Sequence, residues 1–163
     1  RDLTDRLGLN LKVYSARESA AMQEALHGRR WEMGAEQLDS YNMQNKVEPM
    51  ARAVRDLGAR AWLAGIRREQ SDTPHSRPAA EAQREIVKIY PLIDWTARDI
   101  HQYLTKHGLP YHPLWEKGYV SVGDVHSTKP LSAGMTEADT RFNGGKRECG
   151  LHDTSGRPPE YHI

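Results

Sequence analysis

Two short apolar runs constrain the fold of this chain most. The runs are ARAWLAG (59–65) and IVKIYPLIDW (86–95). The second leads into TARDIHQYLTKHG (96–108), in which Thr96 and Asp99 have the spacing of a capping box. Strand-like runs that alternate with amphipathic helices are typical of an α/β domain with a mainly parallel sheet. This fold class is our first prediction.

The region before these runs is predicted to contain three helices and one strand. The helices are 2–7, 15–28, which opens with an S-x-x-E capping box, and 48–58, which has a proline in its first turn. LNLKVY (9–14) alternates apolar and polar residues and is predicted to be a short strand. Prolines and glycines are frequent after position 108, so we expect mostly irregular structure there, with a helix only at 136–142.

Composition excludes several classes of protein. The 163 residues suffice for one globular domain, and 23 Lys and Arg against 22 Asp and Glu leave no global field that would attract nucleic acid. No apolar run approaches the roughly 20 residues that span a bilayer, and the first residues lack a signal peptide's apolar centre. We therefore expect a soluble cytoplasmic protein that binds neither nucleic acid nor membrane.

Two adjacent arginines follow the predicted strand ARAWLAG (59–65). GIRREQS (65–71) places Arg67, Arg68 and Gln70 at a carboxyl edge of the sheet, where open α/β sheets bind ligands. This position favours a phosphate or sulfate ligand. The alternative is a solvated pair of cations balanced by Glu69, which would contribute under about 1 kcal/mol.

Other cations and histidines give weaker signals. Lys46 lies just before the helix start predicted at Pro49, so its ammonium and the helix N-terminus could together face an anion. An exposed lysine is the alternative. The eight histidines show no zincin-type i, i+4 pair and no cysteine companion, so no metal site is expected.

The chain has one cysteine, Cys149, in the polar segment KRECGLH (146–152). A lone cysteine is commonly a small buried hydrophobe, but its neighbours here are too polar for a core. Lys146 and Arg147 favour the thiolate, yet a lower thiol pKa also lowers nucleophilicity, so the net gain in rate is only about threefold. We expect these two cations to act mainly by neutralising an anionic electrophile.

Five segments in the same order together resemble the 3′-phosphoadenylylsulfate (PAPS) reductases of sulfate assimilation, on the route to cysteine. The segments are NKVEPM (45–50), GIRREQS, PLIDWTARDIHQYL (91–104), YHPLWEKGYVSVGD (111–124) and KRECGLH. The resemblance implies an adenine nucleotide alpha-hydrolase-like, three-layer α/β fold. It also implies that a strand and a serine-rich phosphate loop belong before Arg1, so the chain is expected to represent a partial domain.

The same resemblance implies an activity. Cys149 matches the nucleophile that attacks the sulfur of PAPS, forms an S-sulfonate and releases adenosine 3′,5′-bisphosphate; thioredoxin or glutaredoxin, the external reductant, then releases sulfite. His152 matches a residue that orients the tail. The implied substrate-binding residues are Lys46, Arg67, Arg68, Gln70, Arg141, Lys146, Arg147 and His152. A homodimer is also implied.

An iron–sulfur cluster is not expected. The related adenylylsulfate reductases hold one on cysteine pairs, and the matching positions here are Tyr41-Asn42 and Asp124 to Ser127. We expect residues 1–142 to form the partial α/β domain and 143–163 to form a flexible tail that carries Cys149. The alternatives are a non-catalytic adenine-nucleotide-binding domain, an ATP-pyrophosphatase relative and a redox sensor.

Overall fold

The computed structural model describes residues 2–70, 78–83 and 86–141. Contacts divide the chain into two compact units, with the boundary between Leu57 and Gly58. The helices and strands are α1 (Asp2–Leu7), α2 (Ala20–His27), α3 (Ala35–Asn42), α4 (Glu48–Asp56), β1 (Ala61–Leu63), β2 (Ala80–Gln83), β3 (Ile86–Ile89) and α5 (Ala97–Lys106). The boundary predicted between 142 and 143 lies beyond the described residues and stays a prediction.

Helix α2 in the first unit begins later than predicted. Its N-cap is Ser19, whose hydroxyl accepts a hydrogen bond from the Met22 amide at 3.2 Å, so the capping box predicted at Ser15 and Glu18 is wrong. Both residues have other partners. The Ser15 carbonyl accepts from Arg52 at 2.6 Å, and the Glu18 carboxylate accepts from the Gln44 amide at 2.6 Å.

The strand predicted at 9–14 is also absent. In the described part of the chain no strand pairs with this segment, and a strand needs a partner for its backbone groups. Its apolar side chains point away from any core, and Val13 is 82% exposed. Alternation alone therefore does not make this segment part of a sheet.

Helices α3 and α4 are joined by a π turn at Met43–Val47 into one continuous helical run. The Glu48 amide donates to the Met43 carbonyl, the spacing of a π turn, and Val47 has helical backbone angles (φ −72°, ψ −48°). The predicted helix EPMARAVRDLG (48–58) corresponds to α4, but α4 continues from α3 through the π turn and does not begin as a separate helix. Proline disrupts an α-helix by its ring and its missing N–H, and the wider π turn directly before Pro49 accommodates both.

A polar cluster that includes the buried Gln23 and Arg30 fixes this π turn to α2. The amides of Gln23 and Asn45 exchange two hydrogen bonds, of 2.9 and 2.8 Å, and Gln23 also accepts from the buried Arg30 guanidinium at 2.8 Å. Buried amides paired in this way are costly to separate. The cluster thus holds the segment that carries Lys46.

The second unit contains a three-stranded sheet of order β1-β3-β2. Strands β1 and β3, the two runs singled out in the sequence, pair in parallel with Ala61 opposite Val87 and Leu63 opposite Ile89. Strand β2 pairs antiparallel to β3 and was not predicted, because AEAQ lacks the β-branched and aromatic residues typical of strands. The α/β class is confirmed, and the described sheet holds one parallel and one antiparallel pair.

The core of this unit lies where β1 and β3 end. Ala64, Tyr90 and Ile93 are buried together, with Trp62 and Ile66 packed against them. The Tyr90 hydroxyl donates to Glu81 on β2, which ties all three strands to the same cluster. The core therefore fixes the segments that leave β1 and β3.

Helix α5 begins with the predicted capping box. The Thr96 hydroxyl accepts from the Asp99 amide at 3.2 Å, and the Asp99 carboxylate accepts from the Thr96 amide at 2.8 Å. The hydrogen bond from the Thr96 amide lowers the pKa of Asp99 most, and the hydrogen bond from the Thr96 hydroxyl lowers it further. Stability from the carboxylate is present above its unfolded pKa and is lost as the pH falls through the lowered value.

The chain after α5 is mostly irregular up to residue 141, as predicted. The helix predicted at 136–142 is a single 3₁₀ turn, Ala138–Thr140, in its described part. None of the described helices combines the length and apolar character that a bilayer span requires.

We predict that Thr96→Ala lowers the free energy of unfolding by about 1 kcal/mol at neutral pH, because it removes the N-cap of α5. The difference in free energy of unfolding between the variant and the wild type should decrease as the pH falls and Asp99 becomes protonated. Urea denaturation at several pH values measures both effects. Thr105→Ala is the control: its hydroxyl donates within the same helix, to the His101 carbonyl at 2.9 Å, and its loss should cost under about 0.5 kcal/mol. Equal losses for the two variants would contradict the capping assignment.

Candidate functional site

The predicted arginines lie at a carboxyl edge of the sheet. Because β1 and β3 are parallel, the segments that follow them leave the sheet on the same side. Arg67 and Arg68 follow β1, and Asp94 follows β3. We call Arg67 and the 3₁₀ turn Arg68–Gln70 that follows it the arginine turn. The Arg68 amide donates to the Ile93 carbonyl at 2.7 Å, which fixes the arginine turn against the exit of β3.

Arg68 contacts a carboxylate that sequence reasoning missed. Its Nε and Nη2 atoms donate to one oxygen of Asp94 at 3.0 and 2.8 Å. The Asp94 side chain is 75% exposed and that of Arg68 is 31% exposed, so solvent screens the pair and its net contribution is under about 1 kcal/mol. An anionic ligand with more charge than one carboxylate can therefore compete for Arg68.

Arg67 has the partner expected from the sequence, because its guanidinium donates to Glu69. Gln70 ends the same 3₁₀ turn, Arg68–Gln70. The sequence interval explains why one acid was found and the other missed: Glu69 is a neighbour in sequence, whereas Asp94 lies 26 residues from Arg68 and meets it only through the strand pairing.

An open groove of about 270 Å³ lies beside Arg68. Its lining consists of Arg68, Glu69, Ile93, Asp94, Trp95 and Thr96. The Trp95 ring is held by Tyr103 of α5, with ring centres 5.3 Å apart in an edge-to-face arrangement. The groove thus combines an arginine with an aromatic and aliphatic wall, a combination found in sites that bind organic anions.

Arg141 belongs to the same compact unit as Arg67 and Arg68 but contacts a different loop. It forms an antiparallel bridge with Thr128, and its Nη1 atom donates to the Ser121 hydroxyl at 3.3 Å. The guanidinium is therefore held by the segment 121–128, which follows a 3₁₀ turn at Trp115–Lys117. Its role in binding an anion stays a prediction.

Lys46 lies in the other compact unit, inside the π turn. Since α3 and α4 form a continuous helical run, no helix N-terminus accompanies this lysine, and that part of the predicted anion site is wrong. Its role as a substrate cation remains a prediction.

The predicted tail residues Lys146, Arg147, Cys149 and His152 lie outside the described residues, so their roles stay predictions. Among the residues that the structure describes, no three His, Cys, Asp or Glu side chains are grouped to hold a metal ion.

Comparison with known proteins decides the family. The family model of the phosphoadenosine phosphosulfate reductase domain matches residues 1–130. This chain belongs to that family. The resemblance found in the sequence is confirmed, and so is the α/β nucleotide-binding fold that it implied.

Relatives give the extent of the match. A phosphoadenosine 5′-phosphosulfate reductase of Alkalilimnicola ehrlichii is 58% identical over 152 residues, which cover 93% of this chain and 62% of that protein. A protein of the same name from Salmonella arizonae is 58% identical over 151 residues, with the same coverage. The chain thus spans less than two thirds of the length of these relatives.

A solved structure is also similar. The PAPS reductase of Candida auris, crystallised as a phosphate complex, is 34% identical, with a TM-score of 0.66. The alignment covers 79% of this chain and 62% of that one.

We predict that sulfate ions bind saturably at Arg68. Sulfate also stabilises any protein because it is excluded from protein surfaces, and this general rise in melting temperature does not saturate with concentration. A bound ion at ten times its Kd adds about 1.4 kcal/mol. Arg68→Gln should remove the saturable part of the rise in a thermal titration.

Arg29→Gln is the matched control, because Arg29 donates to Glu24 at 2.9 Å, much as Arg68 does to Asp94. This control should keep the wild-type titration curve. A saturable rise that survives in Arg68→Gln would place the ion elsewhere.

Proposed function

We propose that the protein reduces 3′-phosphoadenylylsulfate to sulfite and adenosine 3′,5′-bisphosphate, the reaction of thioredoxin-dependent PAPS reductases in sulfate assimilation. The observation that carries the proposal is the arginine turn at the carboxyl edge of β1 and β3, beside a groove with an aromatic wall. The membership of the chain in the PAPS reductase family supports it.

The substrate matches the charge and shape of this edge. PAPS carries phosphate groups and a terminal sulfonyl group on an adenine nucleoside, so it requires cations next to a surface for the base. Arg68 offers a planar guanidinium with donors suited to phosphate or sulfate oxygens, and Trp95 offers a ring beside it. Binding would exchange Asp94 for a stronger anionic partner of Arg68.

The chemistry is assigned to Cys149. In the proposed step the thiolate attacks the sulfur of the phosphosulfate, the sulfur–oxygen bond to the phosphate breaks, and adenosine 3′,5′-bisphosphate leaves with the bond electrons. The product on the protein is a Cys149 S-sulfonate. Lys146 and Arg147 precede Cys149 in the sequence and neutralise the approaching anion, and His152 orients the segment.

The second half-reaction needs a dithiol from outside, because the chain has one cysteine. One thiolate of thioredoxin or glutaredoxin attacks the Cys149 sulfur and sulfite leaves. The second thiol of the reductant then resolves the mixed disulfide, so the reductant is oxidised and Cys149 returns to a thiolate. We propose that this cycle runs in the cytoplasm, where such reductants are kept reduced, without an iron–sulfur cluster and in a homodimer.

Lys46 and Arg141, together with Arg67 and Arg68, are the proposed substrate cations of the described residues, and Gln70 is proposed as a neutral substrate-binding residue. Lys46 follows Asn45, whose amide is paired with Gln23 in the first unit, and Arg141 contacts Ser121 in the second. Eight positions separate Arg141 from Cys149. The Arg141 guanidinium therefore belongs to the segment that leads to the proposed nucleophile.

A non-catalytic adenine-nucleotide-binding domain is the second candidate, because the groove beside Arg68 and Trp95 can take up a nucleotide whether or not Cys149 reacts. The two candidates differ in what happens to Cys149. A binding domain would take up the nucleotide and leave the thiol unmodified.

We predict that PAPS, with thioredoxin withheld, adds one sulfonate group to the protein, because nothing then removes the adduct. Intact-protein mass spectrometry measures the gain, and digestion maps it to Cys149. Reduced thioredoxin should remove the group and release sulfite. Cys149→Ser is the matched variant, since it keeps the size of the side chain and loses the thiolate.

A sulfonate adduct on the Cys149→Ser variant would contradict the assignment of Cys149 as the nucleophile. An unmodified thiol on a protein that nonetheless binds adenosine 3′,5′-bisphosphate would favour the binding domain.

A further inference from the structure

The guanidinium of Arg141 lies against the backbone of Gly123. A Cβ atom built at Gly123 would lie 2.1 Å from Nη2, 2.3 Å from Cζ and 2.8 Å from Nη1 of Arg141. These distances are far below any van der Waals contact. The position therefore has no room for a side chain while Arg141 keeps its place.

Space, and not backbone conformation, requires glycine here. The backbone of Gly123 lies outside the positive-φ region, whereas Gly118 and Gly134 in the same irregular stretch have φ of 83°. An alanine at 123 can consequently adopt the native backbone without strain. What it cannot do is share the volume that the Arg141 guanidinium occupies.

The loop cannot easily shift to make that room, because it is attached on both sides of the contact. The Gly123 amide donates to the Thr128 hydroxyl at 3.0 Å, and Thr128 bridges to Arg141. One residue further along, the Lys129 amide donates to the Thr140 carbonyl at 3.0 Å. An added methyl group would therefore displace the flexible end of Arg141 and leave the backbone in place.

We infer that Gly123 is a positioning residue for Arg141: its missing side chain leaves a slot for the guanidinium, whose Nη1 atom donates to the Ser121 hydroxyl at the slot. The inference rests on the proposed function in one respect, namely that Arg141 contacts the phosphosulfate nucleotide. Confining a long side chain before the ligand arrives reduces the conformational entropy lost on binding. A binding site also needs its groups held to within about 0.5 Å.

A double-mutant cycle tests the inference, with Gly123→Ala, Arg141→Ala and the double variant. The first readout is the melting temperature without any nucleotide. Gly123→Ala should lower it in the wild-type background and leave it unchanged in the Arg141→Ala background, because the methyl group then enters vacated space.

The second readout is the affinity for adenosine 3′,5′-bisphosphate by calorimetry. Gly123→Ala should weaken it about ten- to a hundredfold, the loss expected for one displaced charge-assisted contact. The same change should have no effect once Arg141 is alanine. Ser121→Ala should weaken the affinity less than Gly123→Ala does, and it too should have no effect once Arg141 is alanine.

Val125→Ala is the control in the same segment, since Val125 is 96% exposed, and both of its readouts should match wild type. Equal losses from Gly123→Ala in the two backgrounds would overturn the inference, because the glycine would then act independently of Arg141. The melting-temperature cycle needs no ligand, so it tests the placement of Arg141 independently of nucleotide binding. A protein that binds no nucleotide would refute the proposed function and leave this first readout valid.

Discussion

The parallel pairing of β1 with β3 is the contact on which the candidate site depends. Its register places Leu63 opposite Ile89, and the next hydrogen bond, from the Ala64 amide to the Ile89 carbonyl at 2.9 Å, carries the pairing past the strand end. The Arg68 amide then bonds the Ile93 carbonyl. A slip of one residue would turn each side chain of β1 to the opposite face and remove Ala64 from the core. The arginine turn is thus a consequence of strand register.

Electrostatics at this edge is local. The chain carries almost equal numbers of acidic and basic residues, and both arginines of the turn have a carboxylate partner, Glu69 for Arg67 and Asp94 for Arg68. Such partners keep the guanidinium groups in place, and solvent screens the pair that Arg68 forms with the exposed Asp94. A ligand with several charges can displace Asp94 and find Arg68 already oriented. This arrangement favours an anion with several charges over a singly charged one.

Sequence reasoning succeeded where the structure is set by neighbouring residues. The capping box of α5, the two parallel strands and the position of Arg68 after β1 were all predictable, because each depends on spacing within one short segment. The strand at 9–14 was wrong because alternation indicates a possible strand but not a partner. Strand β2 was missed because its pairing with β3, and not its own composition, makes AEAQ a strand.

The features of the site that sequence reasoning missed also depend on contacts between residues far apart in the sequence. Asp94 meets Arg68 through the sheet, and the slot for Arg141 at Gly123 depends on a contact 18 positions apart in the sequence. Neither has a local signal. The π turn before Pro49 also escaped prediction, because a proline near a capping position usually marks a helix start and here follows a local widening of a continuous helix.

A crystal structure of the protein with adenosine 3′,5′-bisphosphate tests the central claim most directly. The account predicts a phosphate oxygen within hydrogen-bond distance of the Arg68 guanidinium, with Asp94 displaced and the nucleoside in the groove beside Trp95. A nucleotide bound elsewhere, with the hydrogen bonds between Arg68 and Asp94 unchanged, would contradict the claim that this sheet edge is the substrate site.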